Sequence, residues 1–285
     1  MLSRLREKLC YKIKKPLYYT EGLKRSYMSH SVAGGTLSGK NVWITGGTGG
    51  IGKAVAIRFV LEGCNVIISG RNEKKLSDTV KNIKKEFYGN ISYIVLDHSE
   101  PKTFGEIIEN IFQKFNGIDY MVNCTGILTD TDRERKFRSV TKEQYETSID
   151  INLNSMWSLS KKVADYMCSS EQSGIIINIS SICAFNNQFS YTPYGMSKAG
   201  LISMTRYMND VYKDKNIMFR VIAPGSIATQ MNYIVENADI ASRCNNILRR
   251  QILPEEIAAL IAFLCSDTGC DIRQDFFMVS ANEQL

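Results

Sequence analysis

Six short runs rich in β-branched residues recur along the chain, with longer amphipathic stretches between most of them. They read NVWIT (41–45), NVIIS (65–69), ISYIVL (91–96), IDYMVN (118–123), IIINIS (175–180) and IMFRVIA (217–223). Runs this apolar are buried on both faces, and strands separated by helices pair in parallel through right-handed crossovers. The pattern predicts an α/β chain built on a doubly wound parallel sheet flanked by helices. One helical stripe runs through Ile149, Leu153, Met156, Trp157, Ser160, Val163, Ala164 and Met167, opened by a capping box at Thr141 and Gln144. A second runs through Ile257, Leu260, Ile261 and Leu264. Ligands of such a sheet bind beyond the carboxyl ends of its strands, so the residues just after each strand carry the functional information.

Charge marks a boundary. Residues 1–30 hold eight basic residues against Glu7 and Glu21, which accounts for the whole net charge of +6. The remainder balances at 27 basic and 27 acidic residues. We therefore divide the chain into a basic extension (1–38) and a single globular domain (39–285). Three readings suit the extension: a solvated or disordered tail, an amphipathic helix lying on a membrane surface, or an acid-poor organelle presequence. The neutral body gives nucleic acid nothing to bind. With His30 and His98 the only histidines, a metal site has little material. Eight cysteines without a CxxC pair and no secretory signal suggest reduced thiols in the cytoplasm.

TGGTGGIG (45–52) follows the first strand and opens a helix. Glycines there permit a tight turn, a close backbone approach to a pyrophosphate and close packing of helix on strand. The spacing fits Gly46, Gly50 and Gly52 as TGxxxGxG, and equally Gly46, Gly49 and Gly52 as TGxxGxxG. Strand two ends in ISGRN (68–72), without the carboxylate that would bind ribose hydroxyls of NAD. Arg71 stands there instead. A guanidinium suits the 2′-phosphate of NADP, although a solvated helix-entry arginine would look the same.

In YTPYGMSK (191–198), Thr192 can cap a helix beginning at Pro193, whose buried stripe is Leu201, Met204, Met208 and Val211. Tyr194 and Lys198 are then four residues apart on one face, whereas Tyr191 precedes the cap. A phenol holds its proton to about pH 10, and a neighbouring ammonium lowers that value. Tyr194 is the chemical candidate of the two.

Taken in order, TGGTGGIG, Asp97 after strand three, NCTG (123–126), INL (151–153), NISS (178–181), YGMSK (194–198) and APGSIATQM (223–231) make residues 40–270 resemble a classical short-chain dehydrogenase/reductase. The small body and the thirteen-residue step from Ser181 to Tyr194 favour that branch over the extended epimerases. The resemblance implies a Rossmann-type fold and an oxidoreductase that moves a hydride between a nicotinamide cofactor and a carbonyl or secondary alcohol. NADP(H) is favoured, with NAD(H) the alternative. It implies Tyr194 as general acid and base, Lys198 as the group that lowers its pKa and binds ribose, and Ser181 as the hydrogen-bond donor to the substrate oxygen. Asn152 would hold a water linking Lys198 to solvent. Cofactor contacts would come from Gly46, Thr48, Gly50, Ile51 and Gly52 in the loop, then Arg71, Asp97 at the adenine, Asn123 and Gly126 along the adenosine. Pro224, Gly225, Ile227 and Thr229 would serve the nicotinamide end. A homodimer or homotetramer is implied, with a small carbonyl or alcohol substrate as the ligand.

Departures from the family pattern are Cys124 within NCTG, glycine at position 49, and a chain end, CDIRQDFFMVSANEQL, without the usual glycine pair. The altered chain end and the basic extension leave room for a non-catalytic NADP-binding scaffold or redox sensor, and a cofactor-recycling epimerase or dehydratase is a third reading. Segments 127–140 and 238–251 should flank the cleft, the second as a lid. Arg133, Arg135, Arg243, Arg249 and Arg250 would favour an anionic substrate if they face it.

Overall fold

A computed structural model describes residues 30–129, 139–185, 192–229 and 251–280, including every side chain among them except that of Thr192. The order of elements is β1 (Asn41–Thr45), α1 (Gly50–Leu61), β2 (Asn65–Gly70), α2 (Glu73–Glu86), β3 (Asn90–Val95), α3 (Phe104–Phe115) and β4 (Tyr120–Asn123). Then come α4 (Lys142–Ile149), α5 (Ser155–Ser169), β5 (Gly174–Ile179), α6 (Thr192–Tyr212), β6 (Ile217–Pro224), α7 (Pro254–Cys265) and β7 (Phe276–Val279). All pairings are parallel, in the order β3-β2-β1-β4-β5-β6-β7. This is a single Rossmann-like sheet. The winding direction reverses between β1 and β4, which opens a crevice between the loops that follow those two strands.

Alternation along each strand feeds two cores. Val42 and Ile44 of β1 face α1 and α7, packing among Ala54, Val55, Phe59, Ile257 and Ile261. Trp43 faces the other way, into a cluster with Phe104, Ile108, Met156, Leu159, Leu201 and Met208 from α3, α5 and α6. Burying each large aliphatic side chain is worth about 1.5–3 kcal/mol, so the helices are held by these faces more than by their own propensity. β3, at the sheet edge, departs from the expectation of burial on both sides: Tyr93 and Val95 are exposed. An edge strand has one neighbour and one covered face.

Four sequence expectations change. The helix expected from Ile149 to Met167 is interrupted by a π-turn over Asp150–Asn154, which buries Asn152. In α5, Leu159 joins the buried stripe and Trp157 is exposed, because Trp157 lies about 100° around the helix from Met156. In α6, Val211 is exposed and Tyr212 is buried in its place. Lastly, the packed body starts before residue 39. Ala33 and Leu37 sit in the core, and the side chain of Glu62 accepts from Ser31 Oγ and from Val32 N–H. Arg58, paired with Glu62 at 3.4 Å, donates to the carbonyl of His30. Both charges are buried, where a pair broken on one side is costly. Residues 1–29 lie outside the described residues, and with them the amphipathic pattern of the extension.

The unusual chain end still supplies a seventh strand. Arg220 of β6 is fully buried and donates to the carbonyls of Leu264, Cys270 and Ile272, fastening the α7–β7 connection to the sheet. Among the described residues no helix is long and apolar enough to cross a membrane.

Candidate active site

A cleft of about 450 Å³ opens at the carboxyl ends of the strands, at the reversal point of the sheet. Its floor is the turn from β1 into α1. Gly46 there has φ +64, and a Cβ on it would come within 2.9 Å of Thr125 N. A Cβ on Gly52 would run into the Gly46 carbonyl, and one on Gly50 into the Thr229 side chain. Gly49 has an ordinary extended backbone, and a Cβ there would meet only the Gly46 carbonyl, at 3.3 Å. Space therefore selects the Gly46, Gly50, Gly52 spacing that sequence left open. Helix α1 starts here with no side-chain cap and no acidic residue in its first turn. Its unpaired N–H groups and positive dipole end make a site suited to a pyrophosphate.

Alanine at Gly52 should cost about 1–3 kcal/mol of stability, because backbone rather than a flexible side chain must move. It should also weaken dinucleotide binding tenfold or more, whereas Gly49→Ala should be far milder. Thermal melts and fluorescence titration of both variants check this. Equal behaviour would return the spacing to doubt.

Arg71, exposed at the end of β2, and Asp97, half-buried after β3, share one end of the cleft. Asp97 is held below the usual carboxylate pKa, first by the Ser99 N–H at 2.9 Å and its hydroxyl at 2.8 Å, with Arg71 adding less. Asp97 is therefore a fixed anion and an acceptor. Thr48, Ile51 and Gly126 line the middle, and Pro224, Gly225, Ile227 and Thr229 the opposite wall. Ile227 is braced from behind by a bridge to Ile252, through Ile252 N–H to Ser226 O at 2.9 Å and Ala228 N–H to Ile252 O at 3.0 Å.

The far end holds Ser181, Tyr194 and Lys198. Ser181 follows β5, and its Oγ accepts from Cys183 N–H at 3.2 Å, leaving the hydroxyl hydrogen to point elsewhere. Tyr194 lies in the first turn of α6. Lys198 is buried one turn on, with Nζ 5.6 Å from the centre of the Tyr194 ring and 2.8 Å from the Ile179 carbonyl. Burial lowers the lysine pKa to about 8. Ser180 Oγ donates to the Lys198 carbonyl at 2.7 Å and so ties α6 to β5.

Two predicted residues stand behind this surface. Asn152 Oδ1 accepts from Ile127 N–H at 2.8 Å, and Nδ2 donates to the Ile127 carbonyl at 3.0 Å and to Ser148 Oγ. The side chain clamps the loop after β4 and does not line the cleft. A Cβ at Gly126 would approach Lys198 Nζ at 3.3 Å and Asn152 Oδ1 at 3.6 Å, so the two groups flank one point. Asn123, expected along the adenosine, is buried inside the sheet. Its Nδ2 donates to Asn178 Oδ1 at 2.8 Å and Ser160 Oγ at 2.9 Å, joining β4 to β5 and α5. It sits at the strand's last position, one residue short of the loop, and pleating turns it inward.

Sequence reasoning passed over Thr125, His98 and Cys183, all of which line the cleft. Position was the available signal, since each directly follows a residue already singled out or lies within two of one. Tyr191, Arg133, Arg135, Arg243, Arg249, Arg250 and most of the suggested lid lie outside the described residues.

A family model described as short chain dehydrogenase matches residues 40–239. The 3-oxoacyl-(acyl-carrier-protein) reductase FabG of Thermotoga maritima is 33% identical over 232 residues, which are 81% of this chain and 92% of that protein. The acetoacetyl-CoA reductase of Allochromatium vinosum is 30% identical over 226 residues, 79% and 90% of the two chains. Among solved structures, a short chain dehydrogenase from Bacillus anthracis superposes with a TM-score of 0.75 at 28% identity, covering 86% of this chain and 97% of that one.

Proposed function

This chain belongs to the short-chain dehydrogenase family, as an NAD(P)-dependent oxidoreductase, and within that family we propose an NADP(H)-dependent enzyme that interconverts a carbonyl and a secondary alcohol. The observation that carries the reading is the convergence of a phenol, an ammonium and a hydroxyl at one end of a cleft whose other end is an open helix N-terminus. The site fits a dinucleotide. Its glycine turn leaves room for a close backbone approach, and Thr125 Oγ1 and His98 Nε2 are buried with no protein partner among the described residues.

When bound, the nicotinamide supplies or accepts the hydride at the substrate carbon. Tyr194 donates a proton to the substrate oxygen during reduction and takes it back during oxidation. Lys198 has three donors; one is spent on Ile179, leaving two for the ribose hydroxyls. At pH 7, below its pKa of about 8, it keeps the charge that favours a tyrosinate. Ser181, its oxygen occupied by Cys183 N–H, offers its hydrogen to the same substrate oxygen. Ile127, Leu128, Ile151 and Ile182 make the surrounding wall apolar, which excludes water and suits an acyl chain.

NADP selectivity is supported by Arg71 at the cleft and by the lack of a carboxylate at positions 69–71. A panel of 3-oxoacyl thioesters, simple ketones and keto-sugars, each with NADPH and NADH, tests the whole reading. The relatives named above make the thioesters the first choice. NADPH should be the better coenzyme. In Arg71→Asp its kcat/KM should fall about 10–100-fold, as expected when a charge-assisted pair becomes a repulsion. No turnover of any member, or equal rates with both coenzymes, would overturn it.

A further inference from the structure

Helix α2 ends at the amino ends of the strands, the opposite end of the sheet from the cleft. It buries Leu76, Val80 and Ile83 and turns its other side to solvent. Lys81, Lys84 and Lys85 stand on that side, three and four residues apart and all exposed. Between residues 79 and 90 the one other charge is Glu86. Tyr88, in the turn that follows the helix, is fully exposed. The same turn rests on the end of α1, where a Cβ on Gly89 would meet the Val60 side chain at 2.8 Å. Arg58 and Glu62 stand about 200° around α1 from Val60. There they hold the His30 carbonyl, the Ser31 hydroxyl and the Val32 N–H. The basic extension therefore joins the body at the last turn of α1, across that helix from Tyr88 and the lysines.

Charge and apolar surface both continue into the extension. Residues 1–30 carry eight basic side chains against two acidic ones, and Leu2, Leu5, Leu9 and Ile13 recur among them at helical spacing. Basic residues interleaved with apolar ones suit a surface that is anionic outside and hydrocarbon beneath. A nucleic acid supplies the charge but no apolar layer, which leaves the leucines and Tyr88 without a partner. We propose that the α2–β3 end of the body, with the basic extension beside it, docks on an anionic lipid surface. The twelve residues of α1, at about 1.5 Å each, put this end about 18 Å from the glycine turn. The cleft opens at the other end of the sheet, so docking keeps it clear of the lipid. The proposal does not depend on the coenzyme or the substrate.

The test is co-sedimentation of the full chain with lipid vesicles. Vesicles of phosphatidylcholine mixed with phosphatidylglycerol should pellet the protein, and phosphatidylcholine alone should not. Raising salt from about 0.1 M to about 1 M shortens the screening length from about 10 Å to about 3 Å and should weaken binding at least about tenfold. Lys81→Gln, Lys84→Gln and Lys85→Gln combined change only exposed side chains, so the melting temperature should hold. Affinity for the anionic vesicles should fall about 10- to 100-fold in that variant, the worth of three charges near anionic lipid. Deleting residues 1–29 keeps the residues that bind Glu62 and should weaken binding further than the triple substitution does. Equal pelleting on both vesicle types, no pelleting, or a triple variant that binds like the natural protein would overturn the assignment of this end. Tighter binding to duplex DNA than to the anionic vesicles at the same salt would overturn the choice of lipid.

Discussion

Tyr194→Phe is expected to lower kcat by about 10²–10⁴-fold, the usual worth of a positioned proton donor, with NADPH affinity changed little. The substitution removes a single oxygen from a residue in the first turn of α6, on the cleft wall, and leaves the aromatic ring that packs beside Lys198. Loss confined to kcat would identify a group acting in the transition state, because an interaction made equally in the bound complex would appear in KM. Activity within tenfold of the unmodified enzyme would remove Tyr194 from the chemistry.

Lys198→Met should be inactive to a similar degree, yet more stable than the natural protein at neutral pH. The sign follows from proton linkage. Folding lowers the lysine pKa from an ordinary value near 10.5 to about 8. Below pH 8 both states carry the charge, and the folded state alone bears the cost of burying it, on the order of 3 kcal/mol. Between about pH 8 and 10.5 the folded state binds fewer protons than the unfolded one, so the natural protein gains stability as pH rises. Methionine removes the cost and keeps most of the stem, but strips the Ile179 carbonyl of its donor, a loss of about 1–2 kcal/mol. The net gain at pH 7 should be about 1–2 kcal/mol, or roughly 2–6 °C in Tm. By about pH 9.5–10 the advantage should be gone. Melting both proteins at pH 7 and 9.5 checks the sign. A variant less stable at pH 7 would mean that the ammonium is better solvated than its burial implies.

The two results bear on one design. A buried ammonium costs stability in the free protein, a cost of the kind that active sites tolerate elsewhere in enzymes.

Local pattern was enough for the parallel sheet, the glycine turn, and the Tyr194–Lys198 pair. These rest on spacings of two, three and four residues, fixed by strand and helix geometry. The four-residue step from Tyr194 to Lys198 needs only α6 to be a helix. It was enough, too, to bring Ser181, Arg71, Asp97 and Thr229 to one cleft, since each lies in the segment that follows a strand and the strand ends share one edge of the sheet.

Three things needed the packed chain. One is the placement of two asparagines: Asn123 is turned into the β4–β5 seam by its place in the pleat, and Asn152 onto Ile127 by a π-turn no sequence spacing announces. The choice among the glycines of the turn was settled by how close a Cβ would come to its neighbours: into the Thr229 side chain at Gly50, but no nearer than 3.3 Å to the Gly46 carbonyl at Gly49. The contact of His98 Nδ1 with Ser155 Oγ, at 2.9 Å, joins residues 57 apart in the chain. Which elements form and where their ends line up follow from the order of residues, because those are properties of neighbours along the chain. Which side chain lines the cleft was settled by contacts between residues distant in sequence, and only packing creates those.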